Sequence, residues 1–251
     1  MISKNKLKEL AAYRLQKRCD EEAVFVVEGP KLAGEALASG FGIRTVCATA
    51  EWSAEGGARR VERGEFYEVS EAELERLSSM KTPNQVWMLV ERKGLDDFKD
   101  LGDSEGLVLA LDRIQDPGNM GTMMRTADWY GIRHIVCSKD TVSCYNPKVV
   151  QASMGAVFRT RVDYVDLPQW LAGCGMPVYG ASLQGRPITE RLTLNTEHSP
   201  AVLLIGNESR GISPEAMAQV TDPVLIPNIG GTAESLNASV AAAILIDRLI
   251  G

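Results

Sequence analysis

Two short apolar runs near the C-terminus, Ala201 to Ile205 and Pro223 to Ile226, each empty into a turn rich in Gly, Asn, Glu and Ser. The second turn leads directly into an apolar helix that carries the chain to Gly251. Apolar runs this short, bounded by such turns, read as parallel strands buried on both faces. In open α/β sheets a ligand collects where such strands end. A helix N-terminus adds main-chain N–H groups that have no partner inside the helix. The stretch therefore predicts an α/β fold with a small-molecule pocket at its C-terminal loops.

The rest of the chain narrows what that pocket serves. With 251 residues there is room for one large or two modest domains. No apolar stretch approaches the ~20 residues of a membrane span, and the first residues lack the apolar core of a secretory signal. The five cysteines (Cys19, Cys47, Cys137, Cys144, Cys174) are scattered and form no Cys-x-x-Cys pair. They suggest neither a zinc site nor a disulfide framework, and a reducing cytoplasmic location is expected. With only His134 and His198, no metal site or histidine-based triad is expected. The net charge of −6 argues against general nucleic-acid affinity. Its distribution leaves local basic surfaces, however. Lys4, Lys6, Lys8, Arg14, Lys17 and Arg18 crowd the N-terminus, and a second patch is expected from Lys139, Lys148, Arg159 and Arg161. Such patches permit RNA contact, and equally suit a solvated face.

Strand and helix patterns alternate along the chain. Leu7, Leu10, Ala11 and Leu15 recur at helical spacing, predicting a helix over residues 7–18. Strands are predicted at 23–27, 43–49, 66–69 and 85–91, with helices at 31–39, 51–63 and after Ser70, whose Glu73 completes a capping box. A polar, Gly-rich segment follows, so the domains are placed at 1–95 and 107–251 with a linker at 96–106. The second domain reads as strands at 106–114, 134–138, 161–165 and 178–183, with helices up to Tyr130, at 147–158 and at 167–173. The two terminal strands and a helix over 236–250 complete it.

Three ordered blocks carry a resemblance. They are Asp116-Pro117-Gly118-Asn119-Met120-Gly121 with Arg125-Thr126-Ala127, then Gly206-Asn207-Glu208-Ser209-Arg210-Gly211, then Ile226-Pro227 and Gly230 with Ser235-Leu236-Asn237 and Ser239. Together they resemble the motifs of the SpoU (TrmH-type) RNA ribose 2′-O-methyltransferases of the SPOUT superfamily. Ser3-Lys4-Asn5, Lys8-Glu9-Leu10, Phe25-Val26-Val27-Glu28-Gly29 and Glu35-Ala36-Leu37 resemble that family's N-terminal RNA-binding domain. The resemblance implies a small α/β RNA-binding domain followed by a SPOUT-type α/β domain with a C-terminal trefoil knot. Knots are rare among folds, and this expectation rests on the resemblance alone. It also implies S-adenosylmethionine as cofactor, rRNA or tRNA as partner, and a homodimer. The chain departs from the family pattern in one loop: Asn228 stands where Met is usual, and the segment from Pro227 to Ser235 is one residue longer. A non-catalytic RNA-binding or ribosome-assembly factor is the competing reading.

By resemblance, the cofactor positions are Leu204, Gly206, Glu208, Gly211, Ile226, Leu236, Asn237 and Ser239. The catalytic set is Arg125, Asn119, Glu208, Ser235 and Asn237. Methylating a ribose hydroxyl needs the methyl donor and the oxygen held in line, and a place for the proton. Arg125 corresponds to the family's catalytic arginine, sometimes described as a base. A guanidinium stays charged in proteins, so the expected role is phosphate binding and stabilisation of the developing alkoxide. A surface ion pair with Asp128 is the plainer alternative. Asn119 orders its turn, touches RNA or caps a helix. Glu208 bonds to Asn119 or Arg125, or is solvated. Ser235 and Asn237 bind substrate or cap the last helix. Met120, Met123 and Met124 are expected to be packing residues.

Overall fold

The computed structural model describes residues 2–61, 64–93, 106–188 and 200–250. The expected linker, residues 96–106, falls outside these but for Gly106, and His198 also lies outside. The chain forms two compact units. One comprises Met1–Asp96 with Tyr145–Phe158, the other Asp97–Cys144 with Arg159–Gly251. The stretch Tyr145–Phe158, which the sequence places in the second domain, thus packs with the first.

The first unit begins with helix α1 (Lys4–Ala11), whose start is capped by the Ser3 side chain. The single helix expected over 7–18 is broken. A 3-10 turn at Ala12–Arg14 and an extended Leu15 separate α1 from α2 (Gln16–Glu21). Continuing the apolar period would carry Arg14, Lys17 and Arg18 into the core. The break instead buries Tyr13 and Cys19 and leaves Leu15 68% exposed. Next come β1 (Val24–Glu28), α3 (Pro30–Ala38), β2 (Ile43–Ala48), α4 (Ala50–Ala54), β3 (Glu65–Glu68), α5 (Glu71–Leu77) and β4 (Val86–Glu91). The capping box at Ser70 and Glu73 forms. The helix expected over 51–63 ends at Ala54, where Gly56 takes φ +92°.

These strands build a sheet in the order β1-β4-β2-β3, antiparallel at β1/β4 and β2/β4 and parallel at β2/β3. Leu7, Leu10, Val24, Val26, Trp87 and Leu89 form a core on one face. In the same unit, Phe25 stacks against Tyr145 and Phe158, with centroids 4.7 and 6.0 Å away. Helix α7 (Pro147–Ser153) lies between those two residues. It stops short of the expected Phe158 because Met154 and Gly155 take positive φ, +50° and +95°. Buried Glu28, at the end of β1, is fully engaged. It accepts hydrogen bonds from the Ser78 hydroxyl and from Ser79 N and Oγ at 3.1 and 2.9 Å.

The second unit is an α/β domain on a six-stranded, wholly parallel sheet. Its elements are β5 (Leu107–Leu111), α6 (Pro117–Trp129), β6 (His134–Ser138), β7 (Arg161–Val165), α8 (Leu167–Gly173) and β8 (Val178–Pro187). Then come β9 (Ala201–Ile205), α9 (Pro214–Met217), β10 (Asp222–Leu225) and α10 (Ala238–Ile250). The strand order is β10-β8-β9-β5-β6-β7. Every residue of β5 and β9 is buried, as central strands covered on both faces require. Met120, Met123 and Met124 are fully buried on α6, which supports the packing role. Helix α10 lies against α6, where the Tyr130 hydroxyl donates to Asp247 Oδ1 at 3.0 Å. Parallel strands put the three motif loops at one sheet edge: residues 112–116 after β5, 206–213 after β9 and 226–237 after β10.

Candidate active site

The loop after β5 turns sharply. Asp112 is buried, and its Oδ2 accepts from Ser213 N at 2.6 Å, tying this loop to the one after β9. Arg113 takes φ +57°, a conformation that costs a non-glycine residue free energy and is kept only where neighbours enforce it. Here they do so from both sides. Arg113 N donates to Ser138 Oγ at 2.8 Å, and its carbonyl accepts from Asn207 Nδ2 at 2.8 Å. The chain then enters α6, capped by Asp116, whose Oδ1 accepts from Asn119 N at 2.7 Å. Asp116 and not Asn119 is therefore the cap, which frees the Asn119 side chain.

Beyond β9, Asn207 and Gly211 exchange both main-chain hydrogen bonds, at 3.0 and 2.9 Å. Asn207 Oδ1 also accepts from Ser209 N and Arg210 N, at 3.0 and 3.1 Å. The turn closes so tightly that a Cβ at Gly206 would overlap the main chain of Gly211 and Ile212. Gly206 is thus required by the turn itself. Gly211 has its N–H and C=O committed to Asn207, so its main chain shapes the turn.

One hydrogen-bonded chain joins the first turn of α6 to the loops after β9 and β10. Asn119 Nδ2 donates to Glu208 Oε1 at 2.7 Å, and Asn237 Nδ2 donates to Asn119 Oδ1 at 2.9 Å. Asn237 Oδ1 in turn accepts from Ser239 N at 2.9 Å, Ser239 Oγ at 2.7 Å and Val240 N at 3.3 Å, capping α10. The polarity of this relay is fixed from one end. An ionised carboxylate only accepts, so Glu208 obliges Asn119 to present its amide nitrogen and to turn its oxygen toward Asn237. Asn237 must then donate to Asn119, which leaves its own oxygen for the helix N-terminus. Of the two partners expected for Glu208, the structure selects Asn119. Asn237 caps the last helix, which starts at Ala238 and not at Leu236. Ser239 is buried and committed to that cap, whereas Ser235 is exposed.

Arg125 is exposed on α6, and no described residue pairs with it. The alternative partner, Asp128, is taken by Arg159 Nε at 2.9 Å and Arg133 Nη1 at 3.5 Å. The expected second basic patch is thereby weakened. Arg159 is held by Asp128, and Arg161 Nη2 lies 2.8 Å from Asp163. Asp163 also meets His134 Nε2 at 2.8 Å, so His134 belongs to a structural cluster. Burial works to raise the Asp163 pKa, but the bonds from His134 and Arg161 outweigh it and hold the carboxyl below its ordinary value.

The positions expected to hold the cofactor suit main-chain recognition. Among the described residues, the main chains of Gly206, Ile226 and Leu236 make no hydrogen bonds. Three sets of free N–H and C=O groups at the C-terminal edge of a parallel sheet fit a polar small molecule such as a nucleoside. Leu204 is buried within β9 and contributes packing. No group of three or more His, Cys, Asp or Glu among the described residues could hold a metal ion. No helix among them is long and apolar enough to cross a membrane. Sequence reading missed Asn207 and Arg113. The signal for Asn207 was present, since Asn beside Gly favours turns that bond their own main chain.

The SpoU rRNA Methylase family matches residues 106–247, the span that carries the relay and Arg125. The chain belongs to the SpoU rRNA methylase family. Residues 4–87 match the MRM3-like substrate binding domain. The 23S rRNA (guanosine(2553)-2′-O)-methyltransferase RlmP of Bacillus subtilis is 32% identical, across 98% of this chain and 96% of that protein. A TrmH-family protein from Porphyromonas gingivalis superposes with a TM-score of 0.85 at 38% identity, covering 100% of this chain and 98% of that one. An S-adenosylmethionine-bound rRNA methyltransferase from Sinorhizobium meliloti gives a TM-score of 0.83 at 29% identity, over 99% and 95%.

Proposed function

We propose that this SpoU-family chain transfers a methyl group from S-adenosylmethionine to a ribose 2′-hydroxyl, with rRNA as the first substrate to test and tRNA as the second. The observation that carries the reading is the Glu208–Asn119–Asn237 relay, which ties the first turn of α6 to two motif loops on the domain where Arg125 has no partner among the described residues. The cofactor, when bound, supplies an electrophilic sulfonium methyl group. Main-chain groups of Gly206, Ile226 and Leu236 hold it, and the relay keeps the Gly206 loop and the Leu236 segment at a fixed spacing. Arg125 stays charged, grips a phosphate beside the target ribose and stabilises negative charge growing on the 2′-oxygen. A water or phosphate oxygen takes the proton. The active form is a homodimer, a reading supported by exposed apolar side chains on the site's own helices, Trp129 on α6 and Val240 on α10. Five free cysteines suit a reducing cytoplasm.

The test is transfer of labelled methyl from S-adenosylmethionine to total RNA from cells lacking the protein, with mass spectrometry to place the modified nucleotide. Removing a charge-stabilising group at a reaction centre costs on the order of 10²-fold or more, so Arg125→Ala should nearly abolish incorporation. Arg125→Lys should recover little of it, because a point charge cannot clamp two phosphate oxygens. Full activity in either variant refutes the role of Arg125. No incorporation together with no cofactor binding favours a non-catalytic RNA-binding factor.

A further inference from the structure

We propose that Asn228 is a positioning residue that pre-shapes the cofactor loop, an inference that rests on the reading that this loop binds S-adenosylmethionine. Asn228 opens the segment that runs from the end of β10 to α10. Its Oδ1 accepts from Gly231 N at 2.7 Å, while its Nδ2 donates to Gly231 O at 3.0 Å and Ala233 O at 3.2 Å. The side-chain amide and the Gly231 main chain thus face each other like paired strands, donor to acceptor in both directions. Among the described residues, 227–236 make no other hydrogen bond. Residues 229–237 are all exposed, and Ile229 stands 95% exposed at the tip. Neither strand nor helix holds this stretch, and Asn228 is its one internal staple.

The turn that this staple closes passes through Gly230 at φ +91°, a conformation natural to glycine. A Cβ at Gly231 would lie 3.3 Å from Asn228 Oδ1, so a side chain there would press on the pairing. Both Nδ2 hydrogens of Asn228 point into the loop, so the side chain acts through the main chain it holds. That main chain spans the free groups of Ile226 and Leu236, the two that must stand at a fixed separation to grip one ligand. Without the staple the loop samples many shapes, and apparent affinity falls by the fraction that remains competent.

The experiment compares the full chain with Asn228→Ala and Asn228→Asp. Calorimetric titration with S-adenosylmethionine should show the alanine variant binding about tenfold more weakly, with kcat at saturation and the melting temperature unchanged. Aspartate keeps the acceptor for Gly231 N but turns a carboxylate oxygen toward the Gly231 and Ala233 carbonyls, so it should bind no better than the alanine variant. Hydrogen exchange without ligand gives a second readout: the Gly231 amide should lose protection in the alanine variant. Wild-type affinity in Asn228→Ala, or a lowered kcat with unchanged affinity, overturns the proposal. A wild-type chain that does not bind S-adenosylmethionine overturns the functional reading beneath it, and exchange at Gly231 then still reports whether the staple holds the loop.

Discussion

Replacing Asn237 by aspartate removes the amide hydrogens from one end of the relay and reverses what it asks of its neighbours. The cap on α10 survives, because a carboxylate oxygen still accepts from Ser239 and Val240. A negative charge at a helix N-terminus even adds about 0.3–1 kcal/mol. The other oxygen, however, faces Asn119 Oδ1 across the 2.9 Å now bridged by a proton. If Asn119 turns over to donate to the new carboxylate, its oxygen then confronts Glu208. One bond is lost at one end or the other, about 1 kcal/mol for a solvent-accessible pair. The Asn237→Asp variant should therefore be destabilised by a few tenths to about 1 kcal/mol and should lose methyl-transfer activity. Glu208→Gln alone costs a similar or smaller amount, because a glutamine oxygen still accepts but without charge assistance. The double variant should be better than its parts. Asn119 then donates to the carboxylate introduced at position 237 and accepts from the amide nitrogen introduced at position 208, and the relay runs complete in the opposite sense. Urea unfolding of the four proteins closes the cycle, with an expected favourable coupling of about 1–1.5 kcal/mol. Distant, independent sites add to within ~0.5 kcal/mol. Simple additivity here would show that no directional relay exists.

Two other outcomes test the scaffold beneath the site. Gly206→Ala should cost about 1–3 kcal/mol by forcing the Asn207–Gly211 turn open. Gly211→Ala, with φ +66° but open space around it, should cost only about 1 kcal/mol in denaturant unfolding. Equal costs would refute the close-packing argument. Asp163, whose pKa is depressed by His134 and Arg161 against the opposing effect of burial, contributes stability that is present above the ordinary carboxylate pKa of about 4 and is lost as pH falls through its folded value. Wild-type stability should therefore drop on acidification below about pH 4, and Asp163→Asn should flatten that drop. Identical slopes would place the titration elsewhere.

Much of this architecture was legible because its causes are local. The capping box at Ser70 and Glu73, Pro147 opening α7 and the buried runs of β5 and β9 are set by neighbours within a few residues. The α/β class and the three-loop edge follow from those elements. What escaped was set at long range. Nothing near Leu15 shows that Tyr13 and Cys19 will be drawn into the core, yet that burial breaks the first helix. Strand β8 runs on to Pro187, past the expected Leu183, because β10 pairs with its far end at Val224↔Arg186. The candidate site behaved the same way. Asn119 and Glu208 could be named as chemistry-bearing residues, with their pairing one of two options. That Asn237 would complete the relay could not be read, since the contact spans 118 positions. Nor could the left-handed backbone of Arg113, which Ser138 and Asn207 impose.

The discontinuity of the first unit bears on how the protein is made. During synthesis Phe25 emerges early, but two of its ring partners, Tyr145 and Phe158, follow more than a hundred codons later. Gln151 Nε2, which bonds the Glu28 carbonyl at 2.9 Å, arrives as late. The N-terminal unit cannot finish until β5, α6 and β6 have left the ribosome. Its face toward Tyr145 and Phe158 stands open for about 6 to 27 seconds at ordinary elongation rates of roughly 5–20 residues per second. The two units are therefore successive in the gene yet interleaved in folding, and the first half of the chain is completed by the second.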